Sequence, residues 1–239
     1  MVVGQVAGVE ALAALGAVDF LMWVVTGIST GLTQGFSIQL SQYYGAKDFE
    51  NLRKSLAHSY RLTAFIAAGV LILSQSFASL VLTGLHTPSN IIGMSLLYLR
   101  IIFCGIPATA AYNMFASALR AMGNSKTPLT AMIIASVLNV SLDILFVAGF
   151  GWGVAGAAIA TVIAQSFSAV YCFLILRRID IVHLTRADFM PASGMNARLM
   201  KLGIPVVFQN IIIGVGGLVV QYVINGLSLI HISEPTRRV

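Results

Sequence analysis

The sequence predicts an all-α integral membrane protein, a polytopic bundle of about six transmembrane helices. Composition is the first observation behind this. Of 239 residues, 58% are hydrophobic and only 9% are charged, whereas a soluble domain carries about 25% charged residues. Mean hydropathy is +0.90. The second is that the apolar residues gather in six stretches, each near or above the roughly 20 residues that cross a bilayer as a helix. The third is that, apart from Arg100 within a stretch and Arg237 and Arg238 in the tail, Lys and Arg fall in alternate connections. The same composition excludes a disordered chain, and the roughly ten-residue alternating segments of a transmembrane β-barrel are absent.

The stretches run, in order, from about Ala11 to Gln39, Leu62 to Leu82, Ile91 to Leu119, Leu129 to Phe150, Val154 to Leu176 and Ile204 to Gly226. The loop after the first holds Lys47, Arg53 and Lys54, with Arg61 just beyond. The loop after the third holds Arg120 and Lys126, and that after the fifth holds Arg177, Arg178, Arg186, Arg198 and Lys201. The alternate loops, His86–Asn90 and Phe150–Gly153, hold none. By the positive-inside rule the basic side is cytoplasmic, in a plasma (inner) membrane. The net charge of +6 is therefore a topology signal and not a nucleic-acid footprint, since no basic stripe is interleaved with aromatics.

This orientation sets Met1 outside, so a preceding helix is expected to be missing. Residues 177–202 read as a linker between two bundles. Leu227–Arg237 reads as the translation of a sequencing adapter, so residues 227–239 are expected to be non-native and are left out of fold reasoning. Cys104 and Cys172 sit far apart inside apolar stretches and form no metal or disulfide pattern.

Asp143 is the strongest single residue. It lies within the fourth stretch, about six residues from the outer end, roughly 9 Å deep. A carboxylate at membrane depth costs about 2.5–3.5 kcal/mol on insertion scales, and such residues handle protons or ions in bundle interiors. Asn139 lies one turn earlier on the same face. Thr161 lies about eight residues into the fifth stretch, on the neighbouring antiparallel helix, with Gln165 one turn below. Asp143 and Thr161 are expected to share a polar pocket. Pro107 would break a backbone bond in the third stretch, and Asn113 follows it; a kink with a nearby amide suits a cavity wall. Asp19 and Arg100 form a candidate pair. Gly27, Gly31 and Gly35, and likewise Gly156, Ala160 and Ala164, repeat every four residues and let helices approach closely. Gly151–Gly156 fits GxGxxG but joins two membrane spans without a strand, so it reads as a tight turn and not a nucleotide site. His58, His86 and His183 have no spaced metal partner, and no nucleophile–base pair appears, so the chain does not read as an enzyme.

Together these residues resemble the multidrug and toxic compound extrusion (MATE) transporters. Gln42-Tyr43-Tyr44-Gly45-Ala46 resembles that family's Gln-x-x-Gly-Ala loop. Leu119-Arg120-Ala121-Met122-Gly123-Asn124 resembles its Leu-Arg-Ala-x-Gly turn. Leu138-Asn139 with Asp143, and then Gly153–Thr161, resemble its next two helices, and Gly203-Ile204-Pro205 the start of its second lobe. The resemblance implies twelve helices in two lobes. Residues 1–176 would hold helices two to six of the first lobe, and 203–226 the first helix of the second. It implies a cation-coupling site of Asp143, Asn139 and Thr161, with Asn113 as a further candidate. Gln165, Pro107 and Gln34 become cavity or packing candidates.

The implied function is drug:proton or drug:sodium antiport by alternating access. Small cationic amphiphiles would be the substrates, the bilayer the environment and H⁺ or Na⁺ the coupling ion, with no other cofactor or metal. The full-length protein would be monomeric. Two alternatives remain: a lipid-linked saccharide flippase of the same superfamily, and a membrane scaffold or half-transporter that acts as an oligomer.

Overall fold

A computed structural model describes residues 9–84, 91–190 and 194–233. Its elements are helices joined by short turns, with no strand among the described residues. α1 spans Val9–Gly45, α2 Phe49–Gly84, α3 Ile92–Cys104, α4 Ile106–Ala121, α5 Lys126–Asp143, α6 Gly153–Leu176 and α7 Met195–Ser233. A π-helical segment, Ile144–Gly149, extends α5, and two 3₁₀ turns, Asp180–Val182 and Arg186–Phe189, lie between α6 and α7. Four helical stretches are long and apolar enough to cross a membrane: α2, α5 with its π segment, α6, and Met195–Gly214 of α7. The bent pair α3–α4 makes a fifth. The expected first span falls on α1, several of whose side chains lie outside the described residues, as does the expected loop at 86–90.

All-helical architecture follows from the solvent. Hydrocarbon offers no hydrogen bonds, so each backbone N–H and C=O must be satisfied within its own helix. Charged and special-conformation residues therefore collect at the turns. At the α1–α2 turn, Asp48 Oδ1 accepts the Asn51 backbone N–H at 3.1 Å and Oδ2 accepts the Asn51 amide at 2.7 Å. Those two bonds hold the Asp48 carboxyl below its ordinary pKa, and Lys54 adds to the effect. At the α4–α5 turn, Gly123 takes φ +84° and Asn124 Oδ1 accepts the Thr127 backbone N–H at 3.1 Å.

α1 runs through the middle of the bundle and packs on α2, α4 and α7; α6 packs on α4 and α5. The larger core lies toward the basic side, where Phe36 and Leu40 meet Leu52, Leu56, Met114, Leu119, Leu176 and Leu199. A second cluster, with Val18, Leu82, Leu99 and Phe103, fills the opposite half. The outward faces are apolar as well. Leu129, Ile133, Val137 and Val140 of α5 are each more than half exposed or at that limit, which in this solvent is the lipid-facing surface. Cys104 is exposed and Cys172 buried, neither in a disulfide.

The glycine stripe on α1 has a clear partner. A Cβ on Gly35 would fall on the Gly203 backbone of α7, and one on Gly31 would come within 2.7 Å of Val207 Cα. Gly27 faces open space. The stripe thus brings α7 against α1 over two of its three positions. Gly105, at the α3–α4 break, is similarly tight: a Cβ there would lie 2.7 Å from Val162 Cγ2 of α6. The two helices meet at 45°, and Pro107 sits in the first turn of α4, where its missing N–H leaves no internal bond unmade.

Of residues 177–202, read from the sequence as a linker, those from Met195 on belong to α7, and 191–193 lie outside the described residues. α7 starts at Met195, directly after Gly194 (φ +78°), because Met195, Leu199 and Gly203 already bury one helical face. The segment before it is fastened to α2. Asp188 forms a reciprocal capping box with Thr185, its Oδ2 accepting the Thr185 N–H at 2.7 Å and hydroxyl at 2.8 Å, and it faces Arg53 at 4.0 Å. His58, 2% exposed, sits 2.7 Å from Asn196 Oδ1 through Nδ1 and 3.1 Å from the Met190 carbonyl through Nε2. Arg61 donates to the Phe189 carbonyl at 3.0 Å. Burial pushes the Asp188 carboxyl up, but the Thr185 N–H and hydroxyl, with Arg53 and Lys54, outweigh it and hold its pKa below the ordinary 3.8.

Two predictions follow from the packing and the linker. Gly35→Leu should lower stability in detergent by about 1–3 kcal/mol or more through overpacking, while Gly27→Ala should leave the thermal midpoint within a degree or two. A carboxyl with a depressed folded pKa contributes stability above its unfolded pKa and loses it as pH falls through the folded one. Limited proteolysis at 180–190 should therefore be slow at neutral pH and accelerate only below about pH 4, and Asp188→Asn should be fast at neutral pH already.

Candidate functional site

The polar side chains that line the spaces between α1, α4, α5 and α6 gather on facing helix surfaces. On α5, Ser136 and Asn139 are three residues apart and share a face. On α6, Thr161, Gln165 and Ser168 do the same. α5 and α6 are antiparallel neighbours, so these faces meet in a groove of about 270 Å³. Asn139 Nδ2 donates to Thr161 Oγ1 at 3.3 Å, and Thr161 Oγ1 donates back to the Ala157 carbonyl at 3.0 Å. Gln165 and Ser136 complete the polar wall, and Tyr112 of α4 stands opposite. Thr161 and Gln165 also line a smaller cavity of about 100 Å³ toward α1, with Thr26, Ser29 and Thr109. They form the wall between the two spaces.

Asp143 is the last residue of α5, half-buried, where the helix passes into the π segment. One carboxylate oxygen, Oδ1, is buried with no hydrogen-bond partner among the described residues. The sequence places Asp143 level with Thr161. In the structure Asn139 faces Thr161, so Asp143 sits one turn further on, toward the Gly151–Gly153 turn, and does not line the groove. Asp143 is already about two residues nearer its helix end than Thr161, and the π segment adds to that offset because a wider turn advances less per residue than the 1.5 Å of an α-helix. Phe146 within the π segment packs its ring against Phe150 and Trp152 beyond it, with centroids 5.2–6.0 Å apart. Gly151 and Gly153 take positive φ, and a Cβ on Gly156 would press on Phe146 at 3.0 Å. The GxGxxG pattern is thus a turn and a close helix approach.

Asn113 points elsewhere. Its Nδ2 donates to Thr30 Oγ1 of α1 at 3.1 Å, tying α4 to α1. Gln34, one turn after Thr30, is exposed, and its carbonyl accepts the Ser37 hydroxyl at 2.7 Å. Pro107 lines an apolar groove between α2 and α4 instead of the polar one. Arg100 is exposed, and the Asp19 side chain lies outside the described residues. No group of three His, Cys, Asp or Glu that could hold a metal occurs among the described residues. Sequence reasoning missed Ser136, Tyr112, Ser168 and Thr30. The first could have been found from its three-residue spacing to Asn139; Thr30 and Tyr112 depend on which helices become neighbours.

The model of the MatE family matches residues 1–145. The chain belongs to the MATE family. It is 30% identical over 223 residues to the probable multidrug resistance protein YpnP of Bacillus subtilis (strain 168), covering 93% of this chain and 50% of that protein. An inward-facing structure of a multidrug resistance MATE family transporter of the MOP superfamily aligns at TM-score 0.84 and 23% identity, over 90% of this chain and 49% of that one. The outward-facing structure aligns at 0.82 and 24%, over 88% and 47%. The MATE chain therefore spans about half the length of the relatives it matches, and its polytopic all-α bundle is theirs.

The Asn139–Thr161 bond makes the site cooperative between α5 and α6. Asn139→Ala and Thr161→Val are expected to be non-additive in a thermal-unfolding double-mutant cycle in detergent. A coupling near 0.5–1 kcal/mol matches interhelical hydrogen bonds in membranes.

Proposed function

We propose that this chain is the first lobe, with the opening helix of the second, of a secondary-active multidrug efflux transporter. In this reading it exchanges small cationic amphiphiles for H⁺ or Na⁺ across the plasma membrane, with the basic loops cytoplasmic and the full-length protein monomeric. The observation that carries the reading is the buried Oδ1 of Asp143, left without a partner one turn beyond the Asn139–Thr161 pair that lines an open polar groove.

An unpartnered ionised carboxylate is unfavourable at membrane depth. A proton cancels its charge. A sodium ion satisfies it through oxygen ligands, and the Asn139 and Thr161 side-chain oxygens are of that hard-donor type. Either cation lowers the need for water or a cationic ligand near α5. Release of the cation restores the charge and favours binding of a cationic substrate in its place, which is the thermodynamic condition for exchange at one lobe. Coupling to global motion then needs only that the two bundle packings differ in affinity for the cation. The lobe aligns equally well with inward- and outward-facing relatives, which supports a rigid unit that rocks as one body. The π segment directly after Asp143 is the local element able to repack, since π bulges are inserted turns that recur at functional sites.

The test is ion-coupled efflux in proteoliposomes with the complete coding region. Asp143→Asn should abolish substrate uptake driven by a proton or sodium gradient, a loss of at least tenfold, while expression and monodispersity stay as in the parent. Asn139→Ala should weaken cation dependence without abolishing transport. Unchanged gradient-driven uptake in Asp143→Asn refutes the assignment.

A further inference from the structure

On the other side of α4 from the polar groove lies an apolar one of about 380 Å³ that shares none of its lining residues. Its walls are α2 and α4, and Phe173 of α6 closes one end. Small residues make it open: Ala64, Ala67 and Ala68 on α2 and Ala110 and Ala111 on α4. It follows α2 from Tyr60 to Leu71, eleven residues or about 16 Å of helix, which is about half the hydrocarbon thickness of a bilayer. The groove is therefore one leaflet deep.

Its basic-side end is not blunt. Tyr60 and Phe173 line both this groove and an adjoining cavity of about 290 Å³ beneath the linker, where Arg177 and His183 stand. The Arg177 guanidinium lies 5.5 Å from the Phe173 ring centroid, and no carboxylate pairs with it among the described residues. Thr63, one turn into the groove from Tyr60, is only 9% exposed, lines the space, and has a hydroxyl with no hydrogen-bond partner. A cation at the mouth and an apolar channel one leaflet long match a lipid from headgroup to tail.

We propose that this groove binds one anionic phospholipid of the leaflet on the basic side. One acyl chain lies along Ala67, Ala68, Leu71, Pro107 and Ala111. The phosphate sits at Arg177. Anionic headgroups are attracted to basic residues just outside the hydrocarbon by the same electrostatics that recruit polybasic segments. The inference does not rest on the cation-coupling reading, since the two sites use different side chains.

The experiment is native mass spectrometry of the full chain, delipidated in detergent and offered equal phosphatidylglycerol and phosphatidylcholine with identical acyl chains. The parent should retain one phosphatidylglycerol in at least fivefold preference. Ala111→Phe and Ala68→Leu, which fill the groove from two helices, should each cut retention at least fivefold; Ala68 is exposed, so its variant keeps the fold. Arg177→Gln should retain lipid but bring the two headgroups near parity, and Asp143→Asn should retain it like the parent. Equal retention of both lipids by the parent marks ordinary annular lipid and overturns the proposal. So does retention unchanged in both filling variants, or a headgroup preference that survives Arg177→Gln.

Discussion

Inside a bilayer a polar side chain has no water to fall back on, and this constraint organises the molecule. Many hydroxyls and amides in the spans are returned either to their own helix or to a neighbour. Thr26, Thr33, Ser74, Ser141 and Ser166 bond to carbonyls three or four residues back. Asn113 reaches Thr30, and Asn139 reaches Thr161. These two amide–hydroxyl pairs fix α4 on α1 and α5 on α6. Once they are in place, the alanine and glycine faces decide how close each pair can come. Of the five buried side-chain atoms left without a partner among the described residues, the Asp143 oxygen is the one that carries charge when ionised. On the proposed reading, an exchangeable cation is what satisfies it.

The basic side of the bundle obeys a different rule, because water is available there. Ion pairs and caps on exposed helix ends contribute little individually. The linker gains its order from buried groups instead: His58 between Asn196 and the Met190 carbonyl, and Asp188 inside its own capping box. Asp188, Phe189 and Met190 hold this segment to α2 at three consecutive carboxylate or carbonyl positions. α7 then crosses α1 through Gly35 and Gly203, and Pro205 lies inside that helix.

Much of this was legible in the sequence. Hydropathy located the helices because the membrane demands long apolar runs, and each of the described spans contains the stretch expected of it. The basic loops, the turn glycines and the spacing of Asn139 and Asp143 were readable for the same reason: each follows from local chemistry. What was not readable depends on which helices become neighbours and on small departures from ideal geometry. Asn113 has the right type and depth for the polar groove but faces Thr30, and nothing in its own neighbourhood announces that. The π segment after Asp143 brings it nearer the outer turn than α-helical counting gives, and no residue in Ile144–Gly149 signals a π helix over an α helix. The ordered linker was hidden because the carbonyl contacts that fasten it carry no side-chain pattern.

The central claim is that Asp143 is a membrane carboxyl whose partner is an exchangeable cation. Labelling with a hydrophobic carbodiimide, mapped by peptide mass spectrometry, addresses it directly, because such reagents modify protonated carboxyls in apolar surroundings. The account predicts modification at Asp143 ahead of every other carboxylate in the chain, falling as pH rises or as sodium occupies the site. An Asp143 that stays unmodified at all pH values, or reacts at a rate indifferent to both pH and sodium, would contradict it.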